Sequence, residues 1–226
     1  MKNKNSLLLP PQFFETDSDE KIRNILDLDV DALYLFDHFK NPTDSSKPTY
    51  IFTEEIFSLY KKVKNEIEVG VCVLNVNARD LNILFKDIID PLLELKNINI
   101  GLGTGDNKYE KHVEIFDNDI EVVINYILKN NNFISNNSTL FIGGNSQSKL
   151  DLVQKYNLGI NQWMGSDSDF IDKQNVYKNL INPIGRLSRC VTNKKISESD
   201  YEKIFVVKDS NLKIFQETID NIFKND

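Results

Sequence analysis

Short apolar runs alternate with longer amphipathic stretches along the chain. Eight of the runs have the length and character of β-strands, and a stretch with helical spacing follows most of them. The predicted strands cover residues 7–14, 32–36, 69–74, 98–102, 139–142, 160–164, 187–191 and 204–207. Because these runs are apolar on both faces, they indicate a parallel sheet that is covered by helices.

The amphipathic stretches predict the helices that connect these strands. Ser18 is a candidate N-cap for the first helix, and an apolar stripe that includes Phe215 and Ile219 marks the last one. The predicted helices cover residues 18–27, 53–65, 80–96, 117–129, 147–156 and 211–223. Residues 130–138 are predicted to form a polar loop.

The alternation of strands and helices favours an α/β fold, a compact (β/α)8 TIM barrel with shortened loops. Eight βα units in 226 residues lie low in the size range of this fold. An open doubly wound sheet is the alternative, although it usually needs fewer strands. No change in composition marks a linker, so we expect residues 1–226 to form a single domain.

The composition narrows the class of protein. Of the residues, 40% are hydrophobic and 27% charged, and the formal net charge is -7, which is typical of a globular protein without a nucleic-acid partner. Cys72 and Cys190 lack metal-ligand spacing, and two histidines are too few for a three-histidine zinc site. The apolar run before Pro10 is too short for a signal segment or a membrane span. We therefore expect a cytoplasmic protein without a membrane partner.

Polar and glycine residues follow several of the predicted strands. Asp37 and His38 follow the second strand, and Gly103, Gly105 and Asp106 follow the fourth. In a TIM barrel the active site lies at the carboxyl ends of the strands. We therefore expect these residues to lie at one rim of the barrel.

Two of the rim residues are candidate acid–base groups. A histidine at the rim can act as a general acid or base near neutral pH, so His38 is the first candidate. The plainer interpretation of His38 is a loop histidine bonded to Asp37 or to a backbone carbonyl. Asp106 is either a second acid at this rim or the N-cap of a helix. Trp163, at the end of the sixth strand, either lines a pocket or belongs to the core.

A glycine-rich segment separates the fifth strand from a predicted helix. It consists of Gly143, Gly144, Asn145 and Ser146. Glycine lets the backbone approach an anion closely, and a helix N-terminus presents unpaired N–H groups. The segment is therefore a candidate phosphate site, and an ordinary tight turn capped by Asn145 or Ser146 is the alternative.

Four blocks of the sequence resemble, in order, the bacterial luciferase-like superfamily of flavin- and deazaflavin-dependent (β/α)8 barrels. Asp-Ala-Leu-Tyr-Leu-Phe-Asp-His-Phe at 31–39 is similar to the family's second strand, and the block 69–79 is similar to its third strand and the arginine after it. Gly-Leu-Gly-Thr-Gly-Asp begins the third block, 101–110, and 141–159 resembles the phosphate-loop strand and its helix. Asp-His-Phe and Gly-Thr-Gly followed by an acidic residue resemble the members that use the deazaflavin coenzyme F-420.

The resemblance implies a cofactor, F-420 or FMN, and the residues around it. His38 would be the proton donor or acceptor during hydride transfer, and Asp106 would stand where some members have a catalytic glutamate. A cis peptide between Cys72 and Val73 would form a bulge against the cofactor ring. The residues implied in cofactor binding are Asp37, Cys72, Val73, Gly103, Gly105, Gly143, Gly144, Asn145 and Ser146. The resemblance also implies a possible homodimer.

The sequence therefore predicts an oxidoreductase that transfers a hydride between F-420 or FMN and a small organic substrate. One alternative is a barrel that binds a flavin or deazaflavin without catalysis. The other is an unrelated barrel enzyme that acts on a phosphorylated metabolite.

Overall fold

The computed structural model describes residues 4–41, 46, 49, 52–63, 66–105, 116–192, 200–208 and 211–224. Within these residues eight parallel strands close into a barrel in which neighbours in the chain are neighbours in the sheet. The strands are β1 (Asn5–Leu8), β2 (Ala32–Leu35), β3 (Glu68–Asn75), β4 (Ile98–Gly103), β5 (Thr139–Gly143), β6 (Gly159–Trp163), β7 (Leu187–Val191) and β8 (Glu202–Val206). The last strand returns to the first, with Ile204 beside Ser6. The predicted (β/α)8 barrel is confirmed.

Helices lie between the strands in sequence. They are α1 (Ser18–Leu26), α2 (Phe52–Val63), α3 (Leu81–Ile83), a π-helix (Leu84–Ile89), α4 (Asp90–Leu93), α5 (Ile120–Lys129), α6 (Asn131–Ser135), α7 (Gln147–Tyr156), α8 (Asp167–Lys178) and α9 (Leu212–Phe223). Within the described ranges, no helix combines the length and the apolar character that crossing a membrane requires.

The strands are buried on both faces because side chains alternate between the barrel interior and the helices. Leu7 and Leu9 belong to the large core cluster under the helices. Leu8, between them, packs inside the barrel with Tyr34 and Phe141. This double burial explains why the strands form nearly unbroken apolar runs in the sequence.

A partly buried charge network occupies the amino-terminal end of the barrel. Arg186 pairs with Glu68 and Glu202, and Glu202 also accepts hydrogen bonds from Ser6 Oγ at 2.6 Å and Tyr34 OH at 3.2 Å. Burial raises the pKa of Glu202, and the nearby Arg186 opposes that rise. Because these groups pair with one another, we interpret this end of the barrel as structural. In a TIM barrel the site lies at the opposite end.

The first predicted strand, within residues 7–14, was expected to be short or irregular because of its two prolines, and it is short. β1 ends at Leu8, and Pro11–Phe13 form a 3-10 turn. Proline has no N–H to donate to a sheet, so Pro10 and Pro11 end the pairing.

Two helical segments were missed. Residues 130–138 contain α6, where the side chain of Asn130 accepts a hydrogen bond from Asn132 N. α8 was not predicted because its sequence is mostly polar, yet Ser166 and Asp169 form a capping box at its start. The predicted helix 80–96 is present, and a π-helix interrupts it between α3 and α4.

Candidate functional site

An open cavity of about 190 Å³ lies at the carboxyl ends of β1 to β6. Its apolar wall includes Leu8, Phe36 and Trp163, so the lining position considered for Trp163 is confirmed. Seven predicted site residues also line it: His38, Cys72, Val73, Gly103, Gly105, Gly143 and Gly144. The predicted rim residues on four separate strands therefore meet around one cavity.

His38 follows β2 and lines this cavity. Its half-buried ring stands against Phe36, with the ring centroids 5.8 Å apart. The imidazole therefore has access to the cavity, as a proton-transfer group requires.

Asp37 is buried and is not a lining residue of the cavity. Its carboxylate accepts two hydrogen bonds from Arg79, at 2.7 and 2.8 Å, and one from the backbone N–H of Asn75, at 3.0 Å. Asp37 therefore joins the ends of β2 and β3, and its predicted contact with the cofactor stays a prediction.

Val73 leans over the neighbouring strands from a bulge in β3. The peptide bond between Cys72 and Val73 is cis, as the family resemblance implies. A Cβ on Gly103 would lie 2.5 Å from Val73 Cγ2, and one on Gly143 would lie 2.8 Å from Val73 Cγ1. These two positions must be glycine for Val73 to form this wall of the cavity.

The loop after β5 meets the cavity next to the start of α7. Gly144 has a φ of 118°, which favours glycine. Ser146 is the N-cap of α7 but makes no side-chain capping bond to the backbone. Lys149, on the first turn of α7, donates from Nζ to Thr104 Oγ1 at 3.1 Å. The cavity therefore has a positively charged end beside a helix N-terminus.

Asn145 and Ser146 are exposed and do not line the cavity. Asn145 Oδ1 accepts a hydrogen bond from Lys173 Nζ at 2.6 Å. The hydroxyls of Ser146 and Ser148 lie 3.1 Å apart. A phosphate that contacts both Asn145 and Ser146 would have to bind at the exposed side of the loop, outside the cavity.

Sequence reasoning missed the two lysines, Lys149 and Lys173. Burial lowers the pKa of Lys149. Burial and the neighbouring charge of Lys149 lower the pKa of Lys173 to about 8. The capping box of α8 was the signal in the sequence that could have located this helix. In a helix that begins there, Phe170 and Lys173 lie on one face, and the structure buries both.

Two thiols lie inside the barrel, and one of them, that of Cys72, belongs to a lining residue of the cavity. Cys72 Sγ and Cys190 Sγ are 3.9 Å apart, and both side chains are buried. The neighbouring Cys190 and burial raise the pKa of the Cys72 thiol well above its usual range. A thiol with a raised pKa is a poor nucleophile near neutral pH, so this applies to Cys72. Cys72 is thus part of the cavity wall.

Asp106 lies outside the described residues, within 106–115. Its predicted role as a second acid stays a prediction.

Comparisons with known proteins show similarity at the level of the fold. The sequence matches no protein-family model, and no curated protein matches it. The structure is similar to that of the coenzyme F-420-dependent tetrahydromethanopterin reductase from Methanopyrus kandleri, with a TM-score of 0.60 and 12% sequence identity. The similarity covers 86% of this chain and 68% of the reductase. This is the fold that the resemblance to the luciferase-like superfamily implies.

Proposed function

We propose that this protein is a luciferase-like oxidoreductase that transfers a hydride between a deazaflavin (F-420) or flavin (FMN) cofactor and a small organic substrate. The observation that carries the proposal is that His38, the Val73 bulge and the Gly143–Gly144 loop line one cavity at the rim. The fold shared with an F-420-dependent reductase supports it.

The cavity has the two surfaces that such a cofactor needs. One is apolar, formed by Phe36, Val73 and Trp163, and suits a flat ring. The other is the loop after β5 with Lys149 at its side, which suits a phosphate. The close fit of Val73 against Gly103 and Gly143 fixes the first surface. We infer that the ring lies on Val73 and the phosphate lies on the loop.

When bound, the cofactor ring supplies the hydride chemistry. The protein positions the reactants and supplies the group that gives or takes the proton. His38 gives or takes a proton at an imidazole nitrogen on the cavity side. Val73 holds one face of the site, and Phe36 and Trp163 belong to its apolar wall.

A hydride-transfer assay tests this proposal. Purified protein is mixed with oxidised F-420 or FMN and a panel of alcohols and other small donors, and the absorbance of the oxidised cofactor is followed. We expect protein-dependent loss of the band with at least one donor. Saturable binding with no reduction by any donor, and no oxidation of the reduced cofactor by matching acceptors, would instead indicate a non-catalytic binding barrel.

The second candidate is a barrel enzyme that acts on a phosphorylated metabolite. Lys149 and the Gly143–Gly144 loop favour it, because they suit a phosphate whether or not a ring is attached. If neither cofactor binds and sugar phosphates protect the protein from thermal unfolding, this candidate replaces the first.

A further inference from the structure

Two lysines from consecutive helices flank the loop after β5. Lys149 of α7 borders the cavity, and a Cβ on Gly144 would lie 2.8 Å from its Nζ. Lys173 of α8 is 3% exposed. Its Nζ donates to Asn145 Oδ1 at 2.6 Å and to the carbonyl oxygen of Asn161 at 3.1 Å. The ammonium group of Lys173 therefore binds the loop through Asn145, and that of Lys149 borders the loop on the cavity side.

Neither ammonium group has a carboxylate partner in an ion pair among the described residues. Their mutual repulsion is one cause of the lowered pKa of Lys173. The N-terminus of α7 adds partial positive charge at the same place, and the N-cap side chain of Ser146 leaves it uncapped. The carboxylate of Asp169 acts on Lys173 from beyond ion-pair distance. The two ammonium groups and the helix N-terminus still outnumber it, and this excess of positive charge favours an anion with charge -2 over one with charge -1.

A second groove continues outward from Lys149 between α5 and α7, with a volume of about 540 Å³. Its carboxylates are Asp119, Glu121 and Asp151. Its other lysine, Lys155, pairs with Glu121. The groove beyond Lys149 therefore carries an excess of negative charge, which repels an anionic extension of a ligand.

We propose that Lys149 and Lys173 make the loop after β5 selective for a terminal phosphate, a phosphomonoester dianion, over a phosphodiester. The inference rests on the phosphate position in the proposed function. A monoester carries nearly two charges above its second pKa of about 6, whereas a diester carries one. FMN ends in a monoester, and F-420 continues past its phosphodiester into an anionic tail, so the selectivity favours FMN.

Lys173 acts in this scheme as a positioning residue. Its ammonium group does not line the cavity but bonds to Asn145 of the loop and to the carbonyl of Asn161, a lining residue, whereas Lys149 borders the cavity directly. The titratable and charged groups that act on Lys173 are Lys149, Asp169 and Cys190. As the pH rises through about 8, Lys173 loses its charge in the free protein. The preference for the dianion then decreases.

The test uses methyl phosphate and dimethyl phosphate, which lack a ring. Their dissociation constants are measured on the wild-type protein at pH 7 and pH 9.5 from the NMR shifts of the Gly143 and Gly144 amides. We expect methyl phosphate to bind about tenfold more tightly at pH 7, with a smaller ratio at pH 9.5. Equal binding of the two esters, or no binding of methyl phosphate, would overturn the proposal without any variant.

Variants then test the part played by Lys173. Lys173→Met should reduce the ratio about tenfold and weaken its change with pH, and Lys173→Arg should restore the ratio. Lys178→Met is the matched control, because Lys178 is an exposed lysine on the same helix. A ratio that is unchanged in Lys173→Met contradicts the proposed role. The proposed oxidoreductase function fails on a different result, the absence of F-420 and FMN binding.

Discussion

Arg79 holds both carboxylate oxygens of Asp37, with Nη1–Oδ2 and Nη2–Oδ1 distances of 2.7 and 2.8 Å. The backbone N–H of Asp37 also donates to the carbonyl of Val73, at 3.2 Å. Asp37 precedes His38 in the chain. The Arg79–Asp37 ion pair therefore fixes His38, the candidate proton-transfer residue, relative to the wall of the cavity formed by Val73.

Arg79→Ala should destabilise the protein. The substitution leaves the Asp37 carboxylate buried without its charged partner, which costs about 2–4 kcal/mol of unfolding free energy. Urea unfolding measures this cost. Arg23→Ala, at an exposed position on α1, serves as the control and should change the free energy by less than about 0.5 kcal/mol. Equal stabilities of the two variants would show that the pair does not hold this rim.

His38→Ala should separate turnover from binding. Without the imidazole, we expect turnover to fall by about 10²–10⁴-fold while cofactor affinity stays nearly constant. Steady-state rates and cofactor titration measure the two quantities. His38→Gln keeps hydrogen-bonding capacity without proton transfer and should resemble His38→Ala in rate. Full turnover in either variant would remove His38 from the mechanism.

Gly143→Ala should weaken cofactor binding and lower stability because its new methyl group collides with Val73. Gly143 does not have a positive φ, so the effect is steric rather than conformational. We expect a loss of about 1–3 kcal/mol in unfolding free energy. The double variant Gly143→Ala/Val73→Ala should recover part of this loss, which a double-mutant cycle measures. Strict additivity of the two losses would show that these residues do not press on each other.

The lowered pKa of Lys173 predicts that the stability of the protein depends on pH. Its pKa of about 8 in the folded protein is below the value of about 10.4 in an unfolded chain. The unfolded state therefore binds more protons between these values, and stability rises with pH across this window. Relative to Lys173→Met, the wild type should gain about 1 kcal/mol or more between pH 8 and 10.5 in urea unfolding. A constant difference would show that Lys173 titrates normally.

The strands could be predicted because both of their faces are buried, which leaves runs such as 32–36 almost free of polar residues. α8 could not be found in this way, because Phe170 and Lys173 are its only buried residues and it has no apolar stripe. The two prolines indicated that the first strand is short, but its end could not be placed because the apolar run continues beyond Pro10 into the core, where Phe13 packs against Phe215. Burial alone does not distinguish a strand from a buried turn.

The site could be predicted where residues lie at the end of a strand, as Gly143 does, or within a few residues of it, as His38 does. Lys149 and Lys173 lie on helices, and only the packing of α7 and α8 beside the loop brings them there. The pairing of Asp37 with Arg79 joins residues 42 positions apart. Its geometry depends on the tertiary fold and could not be derived from spacing.

We propose that the cavity binds a flavin or deazaflavin ring against Val73 with its phosphate on the loop after β5. Equilibrium titration of FMN and F-420 with the wild-type protein and Gly143→Val, followed by absorption spectroscopy, tests it most directly. We predict a saturable shift of the cofactor band with one equivalent bound per chain, and affinity at least about tenfold lower in Gly143→Val. Unchanged spectra of both cofactors with the wild-type protein, or equal affinity in the variant, would contradict the claim.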